Sequence, residues 1–160
     1  MTLRTPLLLA AAMLAGCSHV PQAETAPTPR GMGEQVETTR DGTSTAATVD
    51  SYKADLAQRI YAVNSTQVYT TRPQALLRSV VVVKYTVDGS GNLVRSEIAR
   101  SNHDRTTEST ALSTLRKSAP FPKPSPHLLR NGRLEMHESW LFNNDGRFQL
   151  RSLALAQMDE

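Results

Sequence analysis

Cysteine occurs once in the 160 residues, at position 17. A lone cysteine excludes an internal disulfide, so its thiol must pair between chains, stay free or be modified. Aromatic residues are few, at 5%, and no apolar run reaches the ~20 residues that a membrane-crossing helix requires. The formal charge is only +3, and no lysine and arginine run is interleaved with aromatics, which argues against nucleic acid as a partner. Glycine forms no phosphate-cradling loop: Gly89 and Gly91 fall between two predicted strands, not between a strand and a helix. The four histidines, His19, His103, His127 and His137, build neither HxxxH nor HExxH. No metal and no cofactor is expected from them.

What is present starts with Arg4 and then a mostly apolar stretch over residues 7 to 15, the outline of an export signal. Leu14, Ala15, Gly16 and Cys17 resemble the bacterial lipobox, in which a branched apolar residue and two small ones precede an acylated cysteine. The resemblance implies a lipoprotein signal peptide over residues 1 to 16, cleavage between Gly16 and Cys17, and lipid on the Cys17 thiol. One acyl chain, at about 0.8 kcal/mol per buried methylene, binds a membrane only reversibly, whereas the several chains of a lipoprotein hold it lastingly. Ser18 stands where an aspartate would act as the inner-membrane retention signal, so the expected location is the outer membrane, facing the periplasm. Loss of residues 1 to 16 removes Arg4 and no acid, which takes the formal charge from +3 to +2.

Residues 17 to 49 are mostly Pro, Thr, Ala, Gly, Gln and Glu, without an aromatic side chain. Such a stretch cannot bury enough apolar area to offset its ordering entropy, and it reads as a disordered, lipid-anchored tether. Residues 50 to 160 then suffice for one small core and no second. A helix is predicted from Asp50 or Ser51, where a side-chain oxygen can accept from the first-turn amides. Its apolar stripe is Tyr52, Leu56, Ile60 and Val63, and it fades near Asn64.

Residues 79 to 87 form the clearest strand, with Val81, Val83, Tyr85 and Val87 on one face and Lys84 and Thr86 on the other. Asp88, Gly89, Ser90, Gly91 and Asn92 are turn residues, and residues 93 to 100 return, with Val94 and Ile98 alternating against Arg95 and Glu97. A second helix starts from the cap Asp104, carries Ala111, Leu112, Leu115 and Ala119 along one side, and is stopped by Pro120. Thr107, Glu108 and Arg116 fall elsewhere on it. Residues 121 to 126, with three prolines, form an extended crossing. Leu134, Met136, Trp140 and Phe142 alternate with Arg133, Glu135, His137 and Ser139 in a third strand. Asn143, Asn144, Asp145 and Gly146 turn the chain again, and residues 148 to 155 return as a fourth strand. The fold class is α+β: a small antiparallel sheet of three to four strands packed against two helices.

This order, with Val83 to Gly89, Gly91 to Leu93, Ala111 and Leu112, and Ala119 to Pro124, resembles the C-terminal domain shared by TonB and TolA over about residues 52 to 143. The proline-rich segment is closer to TolA. The resemblance implies a protein-binding module in which an exposed edge strand takes up a partner's strand. TonB and TolA also keep an uncleaved N-terminal membrane helix and a long shaft. This chain is expected to lose its apolar segment at Cys17 and to lack such a shaft, so it is not expected to transduce energy.

Catalysis is not expected. Glu135, His137 and Ser139 share one strand face, but same-strand neighbours two apart project in parallel, which suits a solvated polar row better than a triad. Trp140, inside an apolar stripe, reads as core. Arg133, Glu135, His137 and Lys123 are the candidate partner contacts, and the partner is an envelope protein. The alternatives are an envelope enzyme or small-ligand binder, and a structural subunit of a secretion or transport assembly.

Overall fold

The computed structural model describes residues 34 to 155. The expected signal peptide, the cleavage site at Gly16 and Cys17, the lipidation of Cys17 and the first half of the expected tether lie outside the described residues. Six elements follow in order: α1 (Val49–Val63), β1 (Ser79–Asp88), β2 (Leu93–Arg100), α2 (Arg105–Ser118), β3 (Arg133–Phe142) and β4 (Phe148–Leu150). The sheet is antiparallel throughout, with strand order β2-β1-β3-β4. The expected α+β class and helix–sheet arrangement are found.

β1 buries alternate residues, Val81, Val83, Tyr85 and Val87, as its period-2 pattern predicts. On β3 the same face carries Leu134, Met136, Trp140 and Phe142, all buried. Both helices close this face. Tyr52, Leu56 and Ile60 of α1 and Ala111 and Leu115 of α2 reach zero exposure, and Trp140 Nε1 donates to Thr114 Oγ1 of α2 at 3.1 Å.

Several local expectations shift. The N-cap of α1 is Thr48, not Asp50 or Ser51: Thr48 Oγ1 accepts from the Ser51 amide, and Ser51 Oγ accepts from the Thr48 amide. Val63, expected in the buried stripe, is 39% exposed. Tyr61 is buried instead, because its Oη accepts from the Leu150 amide at 2.8 Å and draws that helix face toward β4. On α2, Thr107, Thr114 and Ser118 are buried along with the apolar side. Their hydroxyls donate to main-chain carbonyls of the preceding turn, at 2.9 Å for Thr107 and Thr114 and 2.7 Å for Ser118, so burial leaves no donor unpaired. The fourth strand spans only residues 148 to 150, after which the chain turns and buries Leu153.

The expected tether differs most. Its last part, from about residue 37, is ordered against the domain. Thr38 and Ser44 bridge each other, and Thr43 bridges Lys123 of the proline-rich crossing. The Ser44 amide donates to the Lys123 carbonyl at 2.8 Å, and the Lys123 amide donates to the Gly42 carbonyl at 2.9 Å. Ala46 joins the core, and the Ser44 hydroxyl donates to the buried Asp55 carboxylate. Low apolar content does not prevent order here, because backbone hydrogen bonds to a distant segment supply the partners. Asp41, which accepts from Thr39 and Thr43, has its carboxyl lowered to about 2 by those bonds.

Candidate partner-binding edge

A sheet edge can bind a partner strand only if its backbone groups are free. The β4 edge is not free. Val68 bridges Phe148 in parallel, the Tyr69 amide donates to the Phe148 carbonyl at 3.2 Å, and the Gln149 side-chain amide donates to the carbonyls of Tyr69 and Thr71. At the other end of the sheet, β2 pairs with β1 alone, and among the described residues nothing pairs with its outer side. β2 is therefore an open edge along its whole length, whereas β3 lacks an outer partner only beside residues 134 to 138, before the short β4.

The β1–β2 register explains what this edge presents. Thr86 faces Arg95, but Val87 faces Leu93, which leaves Val94 as the extra residue of a bulge. The expected alternation of Val94 with Ile98 fails for this reason: Ile98 packs against the core, while Val94 is 45% exposed. A second irregularity separates the pairs Val82–Arg100 and Val83–Ile98. Between the two bulges, residues 95 to 98 pair regularly. Arg95 Nη2 lies 2.6 Å from Glu97 Oε2 on the sheet face away from the helices.

Three of the four candidate contacts lie together on that outer face. Arg133, Glu135 and His137 are exposed and stand in register with Asp88, Thr86 and Lys84 of β1, two strands further in than β2. Glu135 is paired with Lys84 at 3.0 Å. β4 pairs with β3 only at residues 140 to 142, so beside Glu135 and His137 the side of β3 away from β1 has no strand partner among the described residues. Lys123 is elsewhere, tied by its backbone to residues 42 to 44, with Nζ 3.7 Å from Asp41. The Glu135, His137 and Ser139 row forms no internal hydrogen bond, and Glu135 is turned to Lys84 instead. Among the described residues no three His, Cys, Asp or Glu side chains converge on a metal-sized site, and no helix is long and apolar enough to cross a membrane.

The polar residue that the sequence reading passed over is Glu138. It has core parity on β3, between Met136 and Trp140, and is 3% exposed. Burial raises its carboxyl above the usual range, against hydrogen bonds from Ser152 and Ser139 and the charge of Lys53, while Oε2 has no partner among the described residues. An acid at a core-parity position was the readable signal. The sign of its effect follows from linkage: a carboxyl raised on folding binds its proton more tightly in the folded state, so its stabilisation is full below the unfolded value of 4.5 and is lost as pH rises. The depressed aspartates, Asp41, Asp88, Asp104 and Asp145, act the other way and at lower pH, losing their contribution as pH falls below 3.8. Melting temperature measured from pH 5 upward should therefore fall more steeply in the native chain than in Glu138→Gln, and the variant should be the more stable at neutral pH. Parallel profiles would show that Glu138 is not titrating in that window.

A search of curated proteins and one of solved structures found no significant match. The sequence profile of the TonB C-terminal family does match, over residues 49–135. That span runs from the first residue of α1 into β3 and takes in the open edge. It covers more than half of the chain, and the chain belongs to the TonB C-terminal family.

Proposed function

We propose that this protein is a lipid-anchored periplasmic lipoprotein, held at the outer membrane through Cys17, whose domain binds another envelope protein by pairing with its strand along β2. The observation that carries the reading is the asymmetry of the sheet: β4 is covered by residues 68 to 71, and β2 is not covered among the described residues. Strand addition derives much of its affinity from main-chain hydrogen bonds and its selectivity from alternate side chains. β2 offers both, with Arg95 and Glu97 pointing to one face and Ile98 to the other. The outer-face row of Arg133, Glu135 and His137 lies two strands from that edge and would meet only a partner that also covers the outer face of β2 and β1. Residues 37 to 45 are hydrogen-bonded to one another and to Lys123, so the roughly 20 residues from Cys17 could span at most about 70 Å, and the domain acts within that distance of its membrane.

The edge is tested by a pair of proline variants, Ser96→Pro and Glu97→Pro. Successive amides of a strand point to opposite sides, so one variant removes a bond to β1 and the other removes only an outward donor. The variant that keeps its melting temperature is the edge-blocked protein. Cross-linking in cells from a photoreactive residue at position 95 should give discrete protein adducts that this variant loses. Adducts unchanged in the edge-blocked protein would overturn the edge reading, and turnover of a small molecule by the purified protein with no adduct would favour an enzyme. The anchor is tested separately: Cys17→Ala should move the protein from the membrane fraction to the soluble periplasm, and continued membrane association would sink the lipid assignment.

A further inference from the structure

The run Val80 to Val83 is β-branched without a break, yet only Val81 and Val83 belong to the core. A strand covered on one face alternates apolar with polar residues, whereas a strand covered on both reads as a continuous apolar run. Val80 and Val82 are half-buried and lie on the outer face, away from both helices. Val80 stands in register with Leu141 of β3, and these two form the floor of a groove of about 580 Å³. Leu77, from the segment before β1, and Leu155, after β4, line its sides together with Arg100 and Arg151. The two most exposed large apolar side chains among the described residues are found here: Leu76, next to Leu77, at 81%, and Leu155 at 50%. The charge of the groove is of one sign. Arg100 and Arg151 are both exposed, and among the described residues no carboxylate lies within 4.0 Å of either. The nearby acids are already held, Glu97 by Arg95 at 2.6 Å, Glu135 by Lys84 at 3.0 Å and Asp104 by Arg78 at 2.9 Å.

We infer that this end of the outer face docks on an anionic lipid surface, with Leu76 and Leu155 entering the leaflet and Arg100 and Arg151 at its phosphates. Protruding leucines gain by leaving water for the acyl boundary, and an arginine lays its aliphatic stem there while its guanidinium stays at the phosphate level. A single acidic ligand inside the groove would leave Leu76 in water. A leaflet covers groove and rim together, and it needs no surface shaped to match them. The inference uses the anchor reading only to bring the domain to the surface: on a tether of at most about 70 Å the local concentration is high and weak docking suffices. The main-chain groups of the β2 edge point sideways from this face, so a docked domain keeps that edge open.

The test is fluorescence quenching by brominated acyl chains in vesicles carrying the full-length protein. Leu76→Trp adds an emitter at the rim to the single buried Trp140, whose signal in the native chain is the baseline. In phosphatidylglycerol vesicles the added emission should fall at least about twofold, and in phosphatidylcholine vesicles by much less. Added salt and Arg100→Gln/Arg151→Gln should each abolish the difference. Melting temperature checks that the double variant stays folded. Quenching that is equal in the two lipids, absent from both, or indifferent to the two arginines would overturn the inference. Asp159 and Glu160 follow shortly after Leu155, and quenching that appears only after Asp159→Asn/Glu160→Gln would give the groove to the chain's own residues in place of the membrane. Protein adducts without lipid adducts from a photoreactive residue at position 76 in cells would give the face to a protein, with the same result. The anchor is judged separately: whether or not Cys17→Ala releases the chain, the quenching at position 76 is read with vesicles in excess, so docking and anchor can each fail while the other stands.

Discussion

Replacing Trp140 with alanine is expected to cost the domain roughly 3 to 5 kcal/mol, the largest loss for any single core truncation here. Trp140 is the largest fully buried side chain, at zero exposure. On the sheet it stands in register with Val81 on β1 and Leu150 on β4. Its ring lies 6.5 Å from that of Phe148, and its Nε1 donates to Thr114 Oγ1 across to α2. Removal would open a cavity at the junction of three strands and a helix, and packed surroundings collapse into such a space only partly. The loss is comparable to the whole stability of many domains of this size, about 5 to 15 kcal/mol, and a fall in melting temperature of roughly 15 °C or more should accompany it. Trp140→Phe separates packing from hydrogen bonding, because it keeps most of the volume and loses only the indole donor. It should retain well over half of the stability difference. A loss below about 1 kcal/mol for the alanine variant in denaturant titration would show that the site is not close-packed.

Gly91→Ala is expected to be nearly as damaging through the backbone alone. Gly91 sits at φ +81° in the β1–β2 turn, and a Cβ there would stand 2.1 Å from the carbonyl oxygen of Phe121 and 3.0 Å from its carbon. Neither atom belongs to a flexible side chain. The same two residues are joined by a hydrogen bond from the Phe121 amide to the Gly91 carbonyl at 2.9 Å, so the hairpin tip is clamped to the crossing that follows α2. A methyl group must separate them, which breaks that bond and adds the left-handed penalty of about 1 to 2 kcal/mol, for roughly 3 kcal/mol or more in all. Gly132→Ala is the control. Its φ of +72° carries the same conformational penalty, but nothing lies within 4 Å of its Cβ. Equal losses at the two positions in urea titration would mean that the contact at Gly91 relaxes freely, and the clamp would then hold nothing.

Much of the domain was legible because it is local. The β-branched run of β1, the Asp88 to Asn92 turn, the Asp104 cap and the β3 stripe each depend on residues within a few positions of one another. Period 2 and capping chemistry express that dependence directly. The same local motifs carried the resemblance to TonB and TolA, and the family match over residues 49–135 agrees with it. The outer-face row of Arg133, Glu135 and His137 was legible for the same reason, although its place two strands inside the β2 edge was not.

The features that position the candidate site come from residues far apart in the chain. Which edge is open depends on Val68 to Thr71 reaching Phe148 and Gln149, some 80 positions later. Val94 points outward because β1 and β2 slip by one residue, and alternation within β2 alone cannot reveal a slip against its neighbour. The polar stretch before α1 is ordered by its pairing with Lys123, which its own composition does not encode. The sequence by itself therefore determined the elements, their order and the family, since these follow from side-chain period and backbone preference over short spans. The tertiary structure alone decided the free edge, the bulge and the groove on the outer face, because hydrogen-bond partners across a sheet are set by whichever distant segments meet there.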